Sequence, residues 1–276
     1  MKLSELSKAV QAKPNHSILL YGRPKTGKTR LVGTAAKIPE LKRIVFVDLE
    51  NGAETLTHMG LSEQELDKID LIKLPDTRDN PIGIVTLLKM FSSKDDVLIC
   101  HNHGKIGCVE CKDPKMNTVF NLRKLTHNDL LIIDSGSQLG DSALNLACAG
   151  MDITFKPGFT EFGTASKYLG DLLSTMQQAY FTNFVMVSHE IAIEEEHNGV
   201  KKDVIFPLVG SRNFCQKVGK YFGTIAHVEI KMSKHIAGSS STFRSDCITG
   251  SRLNAKMESA KEPDMRSILI DGGVLA

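Results

Sequence analysis

SILLYGRPKTGKT, residues Ser17 to Thr29, runs from a short apolar stretch through a glycine-bounded loop into the start of a helix. Gly22, Arg23, Pro24, Lys25, Thr26, Gly27, Lys28 and Thr29 satisfy the P-loop pattern G-x-x-x-x-G-K-[ST], and Ile18 to Tyr21 before them read as a buried strand. The motif requires that setting. Its glycines let the backbone turn tightly enough for N–H groups and a helix N-terminus to face negative charge. Lys28 then offers a cation to the β and γ phosphates of a nucleotide, and the Thr29 hydroxyl is placed to ligate Mg²⁺. A chance glycine-rich turn before a helix is the competing reading.

Bulk properties bound the rest. The 276 residues suffice for one large α/β domain with insertions or for two small ones. A hydrophobic content of 41% supports a core, and a net charge of +2 with a pI near 8.1 confines any polyanion site to a local patch. No stretch has the apolar length of a membrane helix, and the N-terminal MKLSELSKAVQAK lacks the apolar centre of a secretory signal. The expectation is a soluble, cytoplasmic chain with no membrane partner. Cys148, Cys215 and Cys247 are scattered, whereas Cys100, Cys108 and Cys111 cluster, which suggests a metal and not disulfides.

Outward from the P-loop, a helix is predicted over Lys28 to Lys37, stopped by Pro39, after a short helix or arm at 1–13. Arg43 to Glu50 (RIVFVDLE) is a β-branched run turning polar at its end, as expected of a buried parallel strand delivering side chains to a site. A surface helix over Thr57 to Ile69, a strand at Leu71–Leu74 and a helix over Pro81 to Phe91 follow. From 97 to 126 the polar, Cys- and His-rich character marks an insertion. The core returns at Leu130 to Ser135 (LLIIDS), with a helix at Lys167–Tyr180, a strand at Phe184–Val187 and a polar loop over 189–213. Phe214–Tyr221 reads as helical. Ile225–Met232, Phe243–Thr249 and Ser267–Ile270 read as edge strands, the first two joined by a turn at Gly238–Ser241. Strands alternating with helices after a P-loop give a mostly parallel, doubly wound α/β sheet across 1–276, with a β-rich C-terminal edge.

Asp134, ending an apolar strand, has the form of a Walker B acid, able to hold the Mg²⁺ hydration shell beside Thr29. An Asp merely capping the next turn is the plain alternative. For hydrolysis a group must orient or deprotonate water, and Glu50 ranks ahead of the deeper Asp48.

GRPKTGKT, then FVDLENG, then LLIIDSGSQL, then VMVSHE resembles the RecA-type recombinase core, and over most of the chain the small phage-encoded RecA-like ATPases that accompany single-strand annealing proteins. The resemblance implies a RecA-like P-loop NTPase fold using ATP and Mg²⁺, with Glu50 catalytic and Asp134 the Walker B acid. It also implies a γ-phosphate sensor at His189, where the family commonly carries Gln. It implies single-stranded DNA as partner, contacted by the loops after Ile133 and Val187, a single-strand annealing or single-strand binding protein as a further partner, and a homo-oligomer.

The residues give that DNA reading mixed support. Residues 136–167, expected as a long loop, carry Phe155, Phe159 and Phe162 beside Lys156 and Lys167, suited to stacking on bases or equally to a core. The 189–213 segment sets Lys201, Lys202 and Arg212 against Glu190, Glu194, Glu195, Glu196 and Asp203. Between 217 and 256, Lys217, Lys220, Lys231, Lys234, Arg244, Arg252 and Lys256 outweigh Glu229 and Asp246, as a DNA face, a solvated edge, or a source of basic fingers, with Arg252 and Lys256 the candidates. Cys100-x2-His103-x4-Cys108-x2-Cys111 supplies a four-ligand set for structural Zn²⁺, with His101 competing for the histidine place and Gly104 and Gly107 allowing the turns. Such a finger would meet DNA or a partner through Lys105, Lys112 and Lys115. Two other classes stay in view: a P-loop regulator or loader that binds a protein according to nucleotide state, and a small-molecule kinase, for which no arginine-rich lid is found.

Overall fold

Continuous apolar strands such as SILLY and DLLIID are predicted to be buried on both faces, and they are. The computed structural model describes residues 16–111, 117–178, 182–197, 199–241, 243–252, 263–270 and 275. The arm predicted at 1–13 lies outside them. The strands are β1 (Ser17–Tyr21), β2 (Arg43–Asp48), β3 (Ile69–Lys73), β4 (Val97–Cys100), β5 (Asn117–Phe120), β6 (Asp129–Asp134), β7 (Asn183–His197), β8 (Val200–Leu208), β9 (Thr224–Lys231), β10 (Lys234–Gly238) and β11 (Gly250–Ser251). Their order in the main sheet is β10-β9-β1-β7-β6-β2-β3, with β11 also on β9 and β8 on β7. From β9 to β3 every pairing is parallel.

Alternation along each strand divides the core into two layers. Leu19, Val45, Val47, Leu131, Ile133 and Met186 face the helices α2 (Ile82–Ser92), α3 (Gly136–Ala147) and α4 (Phe159–Gln178). Ile18, Leu20, Ile44, Phe46, Ile132 and Val187 face the P-loop helix α1 (Lys28–Gly33) and a C-terminal turn that brings Met265, Ile268 and Leu269 onto it. All the parallel strands therefore end at one edge, with Tyr21 beside Ser188 and Asp48 beside Asp134 in register.

Several local expectations are corrected. The helix predicted over 57–69 is two short turns, Glu54–Thr57 and Glu63–Leu66, because Gly60 takes φ +65 and Ser62 starts the second turn with a capping box to Glu65. The first helix passes into a 3₁₀ turn at Thr34–Lys37. The long loop expected at 136–167 is mostly α3 and the start of α4. The small residues that disguised α3 let it pack closely: a Cβ on Gly140 would lie 2.4 Å from the Gly210 amide nitrogen. The loop expected over 189–213 is instead a β-hairpin, β7 pairing with β8 from His189–Leu208 to His197–Val200. At the C-terminal edge, β9 and β10 join through Met232 and Ser233, both at positive φ, and not through 238–241. Phe243–Thr249 is irregular, and Ser267–Ile270 lies in and just after the helical turn Arg266–Leu269, not in a strand. Phe214–Tyr221 divides between the turns Arg212–Cys215 and Val218–Tyr221. The insertion forms its own antiparallel pair, β4 with β5, packed on the core through Val97, Ile99, Phe120 and the ring contact of Phe91 with Phe120 at 6.4 Å.

Candidate nucleotide and metal sites

The P-loop backbone closes around its own lysine. Lys25 and Gly27 take φ +65 and +88, and Lys28, 6% exposed, donates from Nζ to the carbonyls of Gly22 at 3.0 Å and Arg23 at 2.7 Å. Burial lowers its pKa, opposed by the charges of Asp134, Glu50 and Glu190. Gly22 admits no side chain, since a Cβ there would lie 2.1 Å from the Val228 carbonyl oxygen.

Thr29 donates its hydroxyl to Asp134 Oδ2 at 2.7 Å, joining the P-loop helix to the end of β6 although β7 separates their strands. Asp134 is 4% exposed, and its pKa is pushed up to about 6 by that burial, with Glu50 and Asp48 adding to the rise and the Thr29 hydrogen bond and Lys28 opposing it. A buried carboxylate held above its ordinary range beside a hydroxyl fits a divalent cation, which would neutralise it. Gly52 leaves that place open: a Cβ there would approach Asp134 Oδ2 to 3.0 Å.

Asp48 is structural. Its carboxylate accepts from the backbone N–H groups of Glu50, Gly52 and Ala53, so it fixes the loop that presents Glu50. Asn51 at φ +58 completes the turn, a conformation Asn tolerates better than most residues. Glu50 Oε1 accepts a short hydrogen bond from Ser135 Oγ, and Oε2 lies 3.3 Å from His189 Nε2. Burial would raise the Glu50 carboxyl, but hydrogen bonds from His189 and Ser135 and the charges of His189 and Lys28 outweigh it and leave it below its ordinary value. Ser137 clamps the hairpin root, accepting from His189 N at 2.8 Å and donating to the Leu208 carbonyl at 2.9 Å. Lys28, Thr29, Glu50, Asp134 and His189 are thus gathered at one sheet edge.

Residues 14–253 match the AAA domain family. The chain belongs to that family. No curated protein sequence matches it. Among solved structures it is similar to the RadB recombinase at 14% identity and a TM-score of 0.44, over 82% of this chain and 80% of that one. It is also similar to a prototypical type III secretion ATPase of pathogenic bacteria, at 11% identity and a TM-score of 0.43, over 79% of this chain and 51% of that one. A third is the ATPase EscN with its stalk EscO from enteropathogenic E. coli, at 12% identity and 0.44, over 82% of this chain and 45% of that one. The chain spans about half the length of the two secretion ATPases.

Within this AAA domain the insertion brings Cys100, His103, Cys108 and Cys111 together, their ligand atoms all within 4.8 Å of one another. His103 Nδ1 lies 3.5 Å from Cys108 Sγ and 3.4 Å from Cys111 Sγ, while its Nε2 is 3.4 Å from Glu110. A carboxylate on the far nitrogen is how proteins orient a ligating imidazole. His101 points elsewhere, to Thr118 Oγ1 at 2.8 Å. The Cys108 thiol is held below its ordinary value: burial raises it, but N–H groups of Glu110 and Cys111 and the His103 ring outweigh that. The group can therefore hold a metal. Thr86 fastens it to α2 by donating to the Gly104 carbonyl at 2.6 Å. Lys105 is half-buried, and Lys112 and Lys115 lie outside the described residues.

The remaining sequence candidates separate in space. Phe155, Phe159 and Phe162 are 36%, 100% and 39% exposed, so none fills the core. Arg78 donates to the carbonyls of Ile153 and Asp152 and ties this loop beside the end of β3. Arg244 is occupied by Glu229 and Asp246. Arg252 donates to the Lys220 carbonyl near the start of β9, at the sheet edge opposite the P-loop, and so lies away from the phosphate site of its own chain. Lys256 lies outside the described residues. No helix among the described residues is long and apolar enough to cross a membrane.

Two groupings escaped the sequence reading. One is a cavity of about 230 Å³ beside the P-loop, where Thr26, Gly27 and Arg30 meet Met59, Val228, His235 and Arg266. The other is the chain from Arg23 through Glu190 to His227. Both join residues from distant segments, and no local pattern marks them.

Proposed function

We propose that this AAA-domain protein is a Mg²⁺-dependent ATPase that binds single-stranded DNA in recombination, annealing or repair. In this reading it is phage-encoded and acts as a homo-oligomer in the bacterial cytoplasm, beside a single-strand annealing or single-strand binding protein. The observation that carries the catalytic part is Glu50, ionised and fixed at both oxygens, at the same edge as Lys28 and the Thr29–Asp134 pair.

Lys28 and the P-loop N–H groups bind the phosphates, and the 230 Å³ cavity beside them would take the base and ribose. Thr29 and Asp134 would hold Mg²⁺, which supplies charge neutralisation at the β and γ oxygens. Glu50 takes a proton from water as the water oxygen forms its bond to the γ phosphorus. The bridging oxygen departs on ADP with the electron pair of the broken bond. His189 contacts Glu50 from the root of the hairpin and so reports the state of the site to it. Cys100, His103, Cys108 and Cys111 would hold Zn²⁺ as a structural, four-ligand site. Exposed Phe155, Phe159 and Phe162 beside Lys156 suit base stacking.

A second reading, a nucleotide-dependent binder of a protein partner, is favoured by the hairpin, whose outer part carries Glu194, Glu195, Glu196 and Asp203 and suits a polyanion poorly. ATP turnover with and without single-stranded and duplex oligonucleotides separates the two. Stimulation by single strands is expected, and Glu50→Gln should cut turnover about a hundredfold or more with nucleotide affinity preserved. A rate indifferent to every nucleic acid would exclude the DNA reading.

A further inference from the structure

Arg23 occupies the second position of the P-loop, and its carbonyl oxygen is the partner of Lys28 Nζ at 2.7 Å. Its side chain is 79% exposed, so packing does not explain it. Among the described residues the guanidinium has one partner: Nε donates to Glu190 Oε1 at 3.1 Å, which leaves the terminal nitrogens of the fork unengaged. Glu190 is 12% exposed and fixed at its other oxygen, Oε2, by His227 Nε2 at 2.8 Å. His227 is buried, packs edge-on against Tyr21, and has no partner at Nδ1. The contact between His227 Nε2 and Glu190 Oε2 calls for the ring hydrogen on Nε2, so Glu190 accepts at both oxygens, while His227 Nδ1 keeps no partner.

This is the arrangement of a positioned cation. A buried imidazole orients a carboxylate, the carboxylate holds an arginine from behind by Nε, and the free face of the fork is presented from a loop whose backbone binds phosphate. Glu190 also follows His189, the residue that meets Glu50, and side chains alternate along a strand. The hairpin root therefore supports Glu50 from one face and Arg23 from the other. A fork with two free NH₂ groups suits phosphate oxygens bidentately, which a lysine cannot imitate.

We propose that the Arg23 side chain contacts the γ-phosphate of the same chain's nucleotide and stabilises the charge developing there, with Glu190 and His227 as its positioning residues. The inference rests on the ATPase reading above. It supplies within one chain the cation that Arg252 cannot bring to its own P-loop.

The test compares affinities for ADP and for the slowly hydrolysed analogue ATPγS, measured with Mg²⁺ by calorimetry, alongside ATP turnover. Wild type should prefer ATPγS to ADP by about tenfold or more. Arg23→Ala should bring that preference close to unity, change ADP affinity by less than about threefold, and lower turnover about a hundredfold. Arg23→Lys should recover only part of the preference. Glu190→Gln should weaken it less than Arg23→Ala, and the double variant should be no worse than Arg23→Ala alone, because Glu190 acts through Arg23. An Arg23→Ala protein that keeps the preference overturns the proposal, as does a wild type that shows none. A wild type that shows the preference without any turnover leaves the Arg23 contact standing and removes the hydrolysis reading instead.

Discussion

Replacing Asp134 by Asn should stabilise the protein free of nucleotide and Mg²⁺ while abolishing its use of Mg·ATP. Asp134 is 4% exposed, and its pKa rises from 3.8 to about 6 on folding, burial being the largest cause. The folded state thus favours the protonated form. The contribution is fully present below the unfolded value, near pH 4, and is lost as pH rises through about 6. A shift of roughly two pKa units corresponds to about 3 kcal/mol of lost stability at neutral pH. Asn carries no charge to desolvate and can still accept from the Thr29 hydroxyl, so it should recover much of that loss. For a chain of this size the gain is a rise in Tm of about 5 °C. Melting curves in Mg²⁺-free buffer from pH 4 to 8 would show the variant and wild type converging near pH 4 and separating above 6. A variant that melts at or below the wild-type temperature at pH 8, or whose advantage does not vary with pH, would refute the argument that this site trades stability for a cation.

Gly22→Ala should displace the loop, because its methyl would fall 2.1 Å from the Val228 carbonyl oxygen; fluorescent-nucleotide titration should find binding lost. Under the structural-metal reading, Cys108→Ser should carry less metal than wild type by elemental analysis and lower Tm by about 5 °C or more, since the Cys/His cluster is fastened to the core through Thr86 and Phe120. A metal-free variant that melts unchanged would make the cluster dispensable to the fold. Phe159→Ala should leave Tm within about 1 °C, the ring being 100% exposed, yet weaken single-strand binding about fivefold in an anisotropy titration. Unchanged DNA affinity would remove Phe159 from the stacking surface.

What was legible in the sequence was what chemistry compresses into a short span. The P-loop, the acid ending β6, Glu50 after β2 and the Cys/His group between 100 and 111 are each local patterns, and the structure gathers the first three at one edge because parallel strands end together. The two-sided burial of SILLY and DLLIID was equally plain. What failed was tertiary in origin. Helix α3 is rich in small residues, and their smallness matters only because distant segments approach them, Gly210 at Gly140 and Met186 at Gly136. The sequence 189–208 is too charged to announce strands, and it is a hairpin because Ile193, Phe206 and Cys215 form an apolar cluster at its base and Ser137 clips both strands at the root.

That hairpin changes what the charges mean. A flexible loop at 189–213 could fold its acidic residues away from a polyanion, whereas paired strands hold Glu194 opposite Asp203, Glu195 opposite Lys202 and Glu196 opposite Lys201, with Lys201 Nζ 2.8 Å from Glu194 Oε1, so the acids stay in place and the two lysines offset them only in part. The described part of the basic run, 217 to 252, is likewise not one surface. Arg244 is neutralised by Glu229 and Asp246, Lys217, Lys220 and Arg252 lie toward the start of β9, and Lys231 and Lys234 flank the turn at its other end. A DNA strand drawn to both ends of β9 would have to cross the width of the sheet edge. Arg78, near the end of β3 and on the same edge as the P-loop, instead holds the carbonyls of Asp152 and Ile153, just before the exposed Phe155 and Lys156. Under the DNA reading, the segment before Phe155 and the hairpin root at His189 share the sheet edge of the P-loop, so that edge is where nucleotide state would be passed to a bound strand.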